Sequence, residues 1–136
     1  ATIEQVPIIC EWVTTAARNA GMAEANLWKL ETAVDEACTN ICCYSYLENQ
    51  PGNIELNWDV DRDDFIITIQ DQGVAFDQTK PTNPDLSCDI CQRKVGGLGR
   101  HIMRSFVDEM HYQREEDRNV LILTKSLHEE KKAAVS

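Results

Sequence analysis

The apolar residues of this chain change period at one place, and that change fixes its fold class. From about Ala23 to Tyr46 they fall at helical spacing, with Leu27, Leu30, Val34, Ala37, Cys38, Ile41 and Ser45 on one stripe. Asn49-Gln50-Pro51-Gly52-Asn53 stops the run. Beyond it the period drops to two. Ile54, Leu56, Trp58 and Val60 alternate with polar residues, and Phe65 to Ile69 follows after Asp61-Arg62-Asp63-Asp64, which predicts an antiparallel hairpin with one buried face.

The flanking segments complete the pattern. Ile9, Val13, Ala16, Ala17 and Ala20 predict a first helix from about Pro7 to Ala20, terminated at Gly21. Asp77 to Val95 is polar, holds Pro81 and Pro84, and shows no periodicity; a loop of that length in a small domain reads as a functional lid. Leu98 to Val107 reads as helix, and Glu109 to Arg114 and Val120 to Lys125 as strands about a Glu115 to Asn119 turn. The order helix, helix, strand, strand, lid, helix, strand, strand implies an α+β fold. It is a two-layer sandwich in which a mixed, mostly antiparallel sheet carries its helices on one face. Residues 1–127 read as one domain and 128–136 as a charged, frayed tail.

Composition narrows the function. The formal charge is −10, from 13 basic and 23 acidic residues, with the basic ones scattered; nucleic acid, whose binding rests on clustered Lys and Arg, is therefore not expected as a partner. No run approaches the roughly 20 apolar residues of a membrane span, and no signal peptide opens the chain, so the expectation is a cytoplasmic protein without membrane attachment. One domain of this size has no room for a second catalytic module. Of the six cysteines, Cys10, Cys38 and Cys42 fall in helical patterns and read as small buried hydrophobes in a reducing compartment. Cys88 and Cys91 form a single CxxC in the lid, half of what a zinc site needs, and read as unremarkable loop thiols.

Three segments carry candidate chemistry. Glu36 and Asn40 lie four apart, so on a helix they project from one face, with small Ala33 and Ala37 beside them; a solvated polar face would look the same. Asp35 and Glu48 read as surface residues. Asp71 ends an apolar strand, where a partly buried carboxylate can accept a hydrogen bond from an exocyclic amine such as that of adenine, and Gly73 lets backbone approach a flat ring. Alone, Asp-x-Gly is also a common turn. Gly96-Gly97-Leu98-Gly99 opens a helix whose free N–H groups and dipole suit a phosphate, with Arg93, Lys94 and Arg100 close by. Together the three describe an ATP site. None of His101, His111 and His128 has a Ser or Cys partner suggesting nucleophilic catalysis.

The Glu-x-x-x-Asn helix, the Asp71-Gln72-Gly73-Val74-Ala75-Phe76 turn and the Gly-Gly-Leu-Gly helix start resemble the N, G1 and G2 boxes of the GHKL ATPase superfamily. Within it the chain resembles the anti-sigma factor serine kinases from about Ile3 to Leu127. Pro84-Asp85-Leu86, Phe106-Val107-Asp108-Glu109-Met110 and Asn119-Val120-Leu121-Ile122-Leu123-Thr124-Lys125 extend the match. The resemblance implies a histidine kinase-like ATPase fold and a homodimer that binds a sigma factor and phosphorylates a serine of an anti-sigma factor antagonist. It implies that Asn40 binds Mg²⁺ and that Glu36 is the general base. It also implies that Asp71 and Gly73 bind adenine, that Gly97 and Gly99 bind the phosphates, and that Ala75, Leu98, Arg93 and Thr124 border the nucleotide. Three features depart from the family pattern: no strand precedes the first helix, Tyr44 stands where many relatives have His, and the CxxC is unexpected. Two other readings stay open here. One is a nucleotide-gated binding module that transfers no phosphate, for which Glu36 would be superfluous. The other is the catalytic domain of a histidine kinase, for which every histidine lies after the Glu36–Asn40 box.

Overall fold

The computed structural model describes residues 3–46, 52–80 and 103–128. Helix α1 (Val6–Asn19) follows a 3-10 turn, Ile3–Gln5, and carries Pro7 in its first turn, where a missing N–H costs nothing. Val6, Cys10, Val13 and Ala17 are its buried stripe. It ends as the glycine predicts: Gly21 takes φ 100°, and the Met22 N–H reaches back to the Ala17 carbonyl at 3.0 Å.

Helix α2 (Glu24–Asn40) buries Leu27, Leu30, Ala33, Val34, Ala37 and Cys38. The expected helix to Tyr46 does not continue unchanged. Ile41–Ser45 forms a π-helical turn, closed by the Tyr46 N–H on the Ile41 carbonyl at 3.3 Å. The wider turn brings Ser45 and Tyr46 together to the end of the sheet, where both bond, and those bonds outweigh regular α geometry. At its other end α2 is fastened by Asn26, whose buried amide donates to the carbonyls of Ser126 and His128 at 2.9 and 2.7 Å.

Four strands form the sheet: β1 (Ile54–Asp61), β2 (Asp64–Asp71), β3 (Glu109–Glu115) and β4 (Arg118–Ser126), in the spatial order β1-β2-β4-β3. Every pairing is antiparallel, so among the described residues the sheet is not mixed as expected. Both hairpins turn through a non-glycine residue of positive φ, Arg62 at 58° and Glu116 at 56°. Alternation puts Phe65, Ile67 and Ile69 of β2 against Leu121 and Leu123 of β4 and beneath Leu30, Val34 and Met103, all buried. Each such side chain contributes about 1.5–3 kcal/mol through burial. Residues 103–106 are helical, within the segment expected to be helix.

Register is what builds the site. β2 pairs with β4 so that Asp71, on the core face at the end of its strand, lies opposite Asn119. Cys10 and Cys38 are free and buried and Cys42 is free and half-buried, in keeping with small hydrophobes. Burial, with Asp35 and Glu31 adding to it, pushes the Cys10 thiol up to about 12. Cys43 is buried on the same turn as Cys42. No helix among the described residues is long and apolar enough to cross a membrane. Most of the expected lid, with Cys88 and Cys91, and the expected tail after His128 lie outside the described residues.

Candidate functional site

Asp71 is 3% exposed and gathers three donors: the Ser45 hydroxyl, the Gly73 N–H at 2.9 Å and the Asn119 side-chain amide at 2.9 Å. All three reach the same oxygen, Oδ1. Among the described residues nothing bonds to Oδ2. Three donors on one oxygen fix the position and plane of the carboxylate.

Asn119 is the hub of this cluster. Its amide nitrogen donates to Asp71 Oδ1, to Ser45 Oγ at 3.0 Å and to the Val74 carbonyl at 2.7 Å. Its Oδ1 accepts from the Phe76 N–H at 3.1 Å, the Tyr112 hydroxyl at 2.5 Å and the Arg114 guanidinium at 3.2 Å. Burial is the largest influence on the Tyr112 hydroxyl and raises its pKa against the pull of its bonded neighbours, so it stays a neutral donor. In the sequence Asn119 is marked only as the first residue of the closing strand pattern. Its role depends on the β2–β4 register, and the one local signal is an asparagine opening an otherwise apolar strand.

Gly73 is required by a contact other than the one expected. A Cβ there would sit 2.2 Å from both the backbone oxygen and the hydroxyl of Ser45, so the glycine lets the turn after β2 pack onto the π turn. The Val74 N–H completes that contact on the Ser45 carbonyl at 2.8 Å. Tyr44, on the same turn, packs its ring 5.5 Å from that of Phe76. Ala75 is exposed in the segment between them.

Asn40 does not lie on a solvated face: it is 3% exposed, and its amide nitrogen donates to Gln78 Oε1 at 3.3 Å. Glu36, one turn earlier on α2, is half-buried. Asp35 is exposed, as expected, and accepts from the Thr39 hydroxyl. No cluster of three or more His, Cys, Asp or Glu side chains suited to a metal is present among the described residues. An amide oxygen on Asn40 nonetheless fits magnesium, a hard cation that is commonly held by one or two protein oxygens together with phosphates and water.

A family model, the histidine kinase-like ATPase domain, matches residues 1–125. The chain belongs to this family. Serine-protein kinase RsbW of Bacillus licheniformis is 32% identical over 117 residues, which cover 81% of this chain and 71% of the relative. Serine/threonine-protein kinase BtrW of Bordetella bronchiseptica is 33% identical over 95 residues, covering 70% of this chain and 67% of the relative. Among solved structures, the catalytic domain of the histidine kinase ThkA aligns with 91% of this chain and 89% of its own length, with TM-score 0.58 at 14% identity. That likeness shows the α+β fold.

Within this ATPase domain the structure brings together Asp71 and Gly73, with Ala75 in the turn that follows, and places Glu36 and Asn40 on the helix that leads into the same cluster. It does not bring Thr124 there. Thr124 lies opposite Ile66 in β4, five residues and about 17 Å along the strand from Asn119. The odd spacing turns it to the other face of the sheet. Arg93, Gly97, Leu98 and Gly99 lie outside the described residues.

Proposed function

We propose that this chain is an ATP- and Mg²⁺-dependent protein serine kinase that phosphorylates an anti-sigma factor antagonist and sequesters a sigma factor, working as a homodimer in the cytoplasm. The observation that carries the reading is the Asp71 carboxylate, buried and fastened through Oδ1 with Oδ2 left to accept the exocyclic amine of adenine. The family membership and the two relatives named as protein kinases support it.

Each residue then has a task. Asp71 orients the base, and Gly73 keeps the backbone there close to Ser45. Glu36 accepts the proton of the acceptor serine hydroxyl, which makes that oxygen the nucleophile. Asn40 offers its side-chain oxygen to magnesium, which when bound neutralises charge on the phosphates. Gly97 and Gly99 are assigned to the phosphates, and Leu98 and Arg93 to the border of the nucleotide, on the sequence motif alone. Catalysis is mainly positioning and charge stabilisation, with the base adding a further factor.

Phosphotransfer from labelled ATP to candidate antagonist proteins tests this reading. Glu36→Gln keeps size and helix propensity and should leave Mg-ATP affinity within a few-fold while transfer falls by about a hundred- to ten-thousandfold. Transfer at the wild-type rate would remove Glu36 as the base. A wild type that transfers no phosphate yet binds a sigma factor only with ATP would be a binding module.

A further inference from the structure

We propose that Gln78 is a positioning residue that sets the orientation of the Asn40 side-chain amide, and so makes Asn40 an oxygen ligand rather than a nitrogen donor toward magnesium. The inference rests on the reading above that Asn40 carries the metal, and adds to it a residue from outside the three sequence motifs.

The two ends of an asparagine amide are nearly the same size, and only the oxygen binds a cation. Something must choose between them. Gln78 follows the turn after Asp71, is 2% exposed, and makes two bonds: its Nε2 donates to the Ala37 carbonyl at 3.2 Å and its Oε1 accepts from Asn40 Nδ2 at 3.3 Å. Ala37 begins the chain of choices because a backbone carbonyl only accepts. Facing it, Gln78 must present Nε2, which turns Oε1 toward Asn40. Asn40 must then present Nδ2, and its Oδ1 is left facing away. Among the described residues no hydrogen bond reaches that oxygen. The polarity of one helix carbonyl is thus relayed through two amides to the ligand atom.

The segment that delivers Gln78 is itself fixed. Asp77 Oδ1 accepts from both the Thr79 N–H at 2.9 Å and the Thr79 hydroxyl at 2.5 Å, and Arg104 donates to the Thr79 carbonyl. That local turn points residue 78 inward onto α2. Groups behind a metal ligand typically alter metal affinity by about 10–100-fold when removed.

The test is nucleotide binding by calorimetry on the whole chain, with ATP, in EDTA and at rising Mg²⁺. Gln78→Met fills similar space but has no polarity to relay, so the gain in affinity due to Mg²⁺ should fall by about 10–100-fold, while affinity in EDTA, which depends on Asp71, stays as in wild type. Gln78→Glu presents oxygen to Asn40 Nδ2 whichever way its carboxyl group turns and, protonated in this buried position, still donates to the Ala37 carbonyl, so it should keep that gain. An unchanged magnesium gain in folded Gln78→Met overturns the proposal, and so does its loss in folded Gln78→Glu, which decides the matter even if the methionine variant does not fold. Asn40→Ala separates the two readings. If it leaves the magnesium gain intact, the assignment of metal to Asn40 falls; if it abolishes the gain while Gln78→Met does not, only the relay falls.

Discussion

Asn119→Asp changes one nitrogen to an oxygen at the centre of the site, and the cluster makes its cost a function of pH. The atom replaced lies 2.9 Å from Asp71 Oδ1, inside a pair of residues that are each 3% exposed. Two unit charges at that distance repel by about 6 kcal/mol at an effective dielectric constant of about 20. The pair can avoid this by keeping a proton. Holding it on a carboxyl group of ordinary pKa, about 3.9, costs about 4 kcal/mol at pH 7 and about 1.5 kcal/mol at pH 5. Protonation is the cheaper course, and the resulting O–H donates to Asp71 as the amide did. The penalty should thus be about 2.7 kcal/mol larger at pH 7 than at pH 5, on top of a pH-independent loss because one O–H cannot also serve the Val74 carbonyl. The sign follows from linkage. The folded pair binds a proton that the unfolded chain has released, so stability is present below about pH 4 and is lost as pH rises. Urea unfolding at the two pH values, followed by the fluorescence of Trp12, Trp28 and Trp58, reads the difference. An equal penalty at both pH values would mean that the two side chains do not share one site.

Other substitutions and conditions test the packing. Gly73→Ala would force a Cβ to within 2.2 Å of Ser45 backbone, so the variant should lose about 1–3 kcal/mol in thermal or urea unfolding and bind ATP more weakly although Asp71 is untouched. Cys10, whose thiol is raised to about 12 by burial, keeps its proton in the fold while the unfolded chain loses it above about pH 9. Its contribution to stability should hold below that pH and decline as pH rises toward 12, read by urea unfolding at stepped alkaline pH, and native Cys10 and Cys38 should resist alkylation at pH 8 until urea is added. Arg62→Gly relieves a positive φ in the first hairpin and should raise stability by up to about 1 kcal/mol, measured as an increase in Tm.

Much of this arrangement could be read before any coordinates. The α2 stripe from Leu27 to Cys38 and the alternation in Phe65, Ile67 and Ile69 are direct consequences of burying one side of a helix or strand, and both elements stand where the pattern puts them. Asp71 stands out as a polar residue ending an apolar strand, and Asn40 as a polar residue four after Glu36, on one face of a helix. Asn119 does not, because its meaning comes from the residue opposite, and register between distant strands is not a local property. The π turn was hidden for a related reason: Ile41 to Ser45 continues the apolar stripe, and only the bonds of Ser45 and Tyr46 to the sheet end distort it. Gln78 sits in an aperiodic polar stretch where nothing in the pattern announces burial. Thr124 entered the nucleotide site through resemblance alone, and counting five residues from Asn119 along a strand is enough to turn it to the other face.

Asp71 Oδ2 is the proposed acceptor for the adenine amine, and calorimetry of ATP binding to wild type and Asp71→Asn tests that role directly. The amide can still accept through its oxygen but must rearrange among the donors from Ser45, Gly73 and Asn119, and it loses a charge-assisted bond of about 1.5–3 kcal/mol. ATP affinity should therefore fall by about tenfold or more, and far more than GTP affinity, because an amide nitrogen can donate to the guanine carbonyl. Unchanged ATP affinity in a folded Asp71→Asn variant would take Asp71 out of the nucleotide site and contradict the account at its centre.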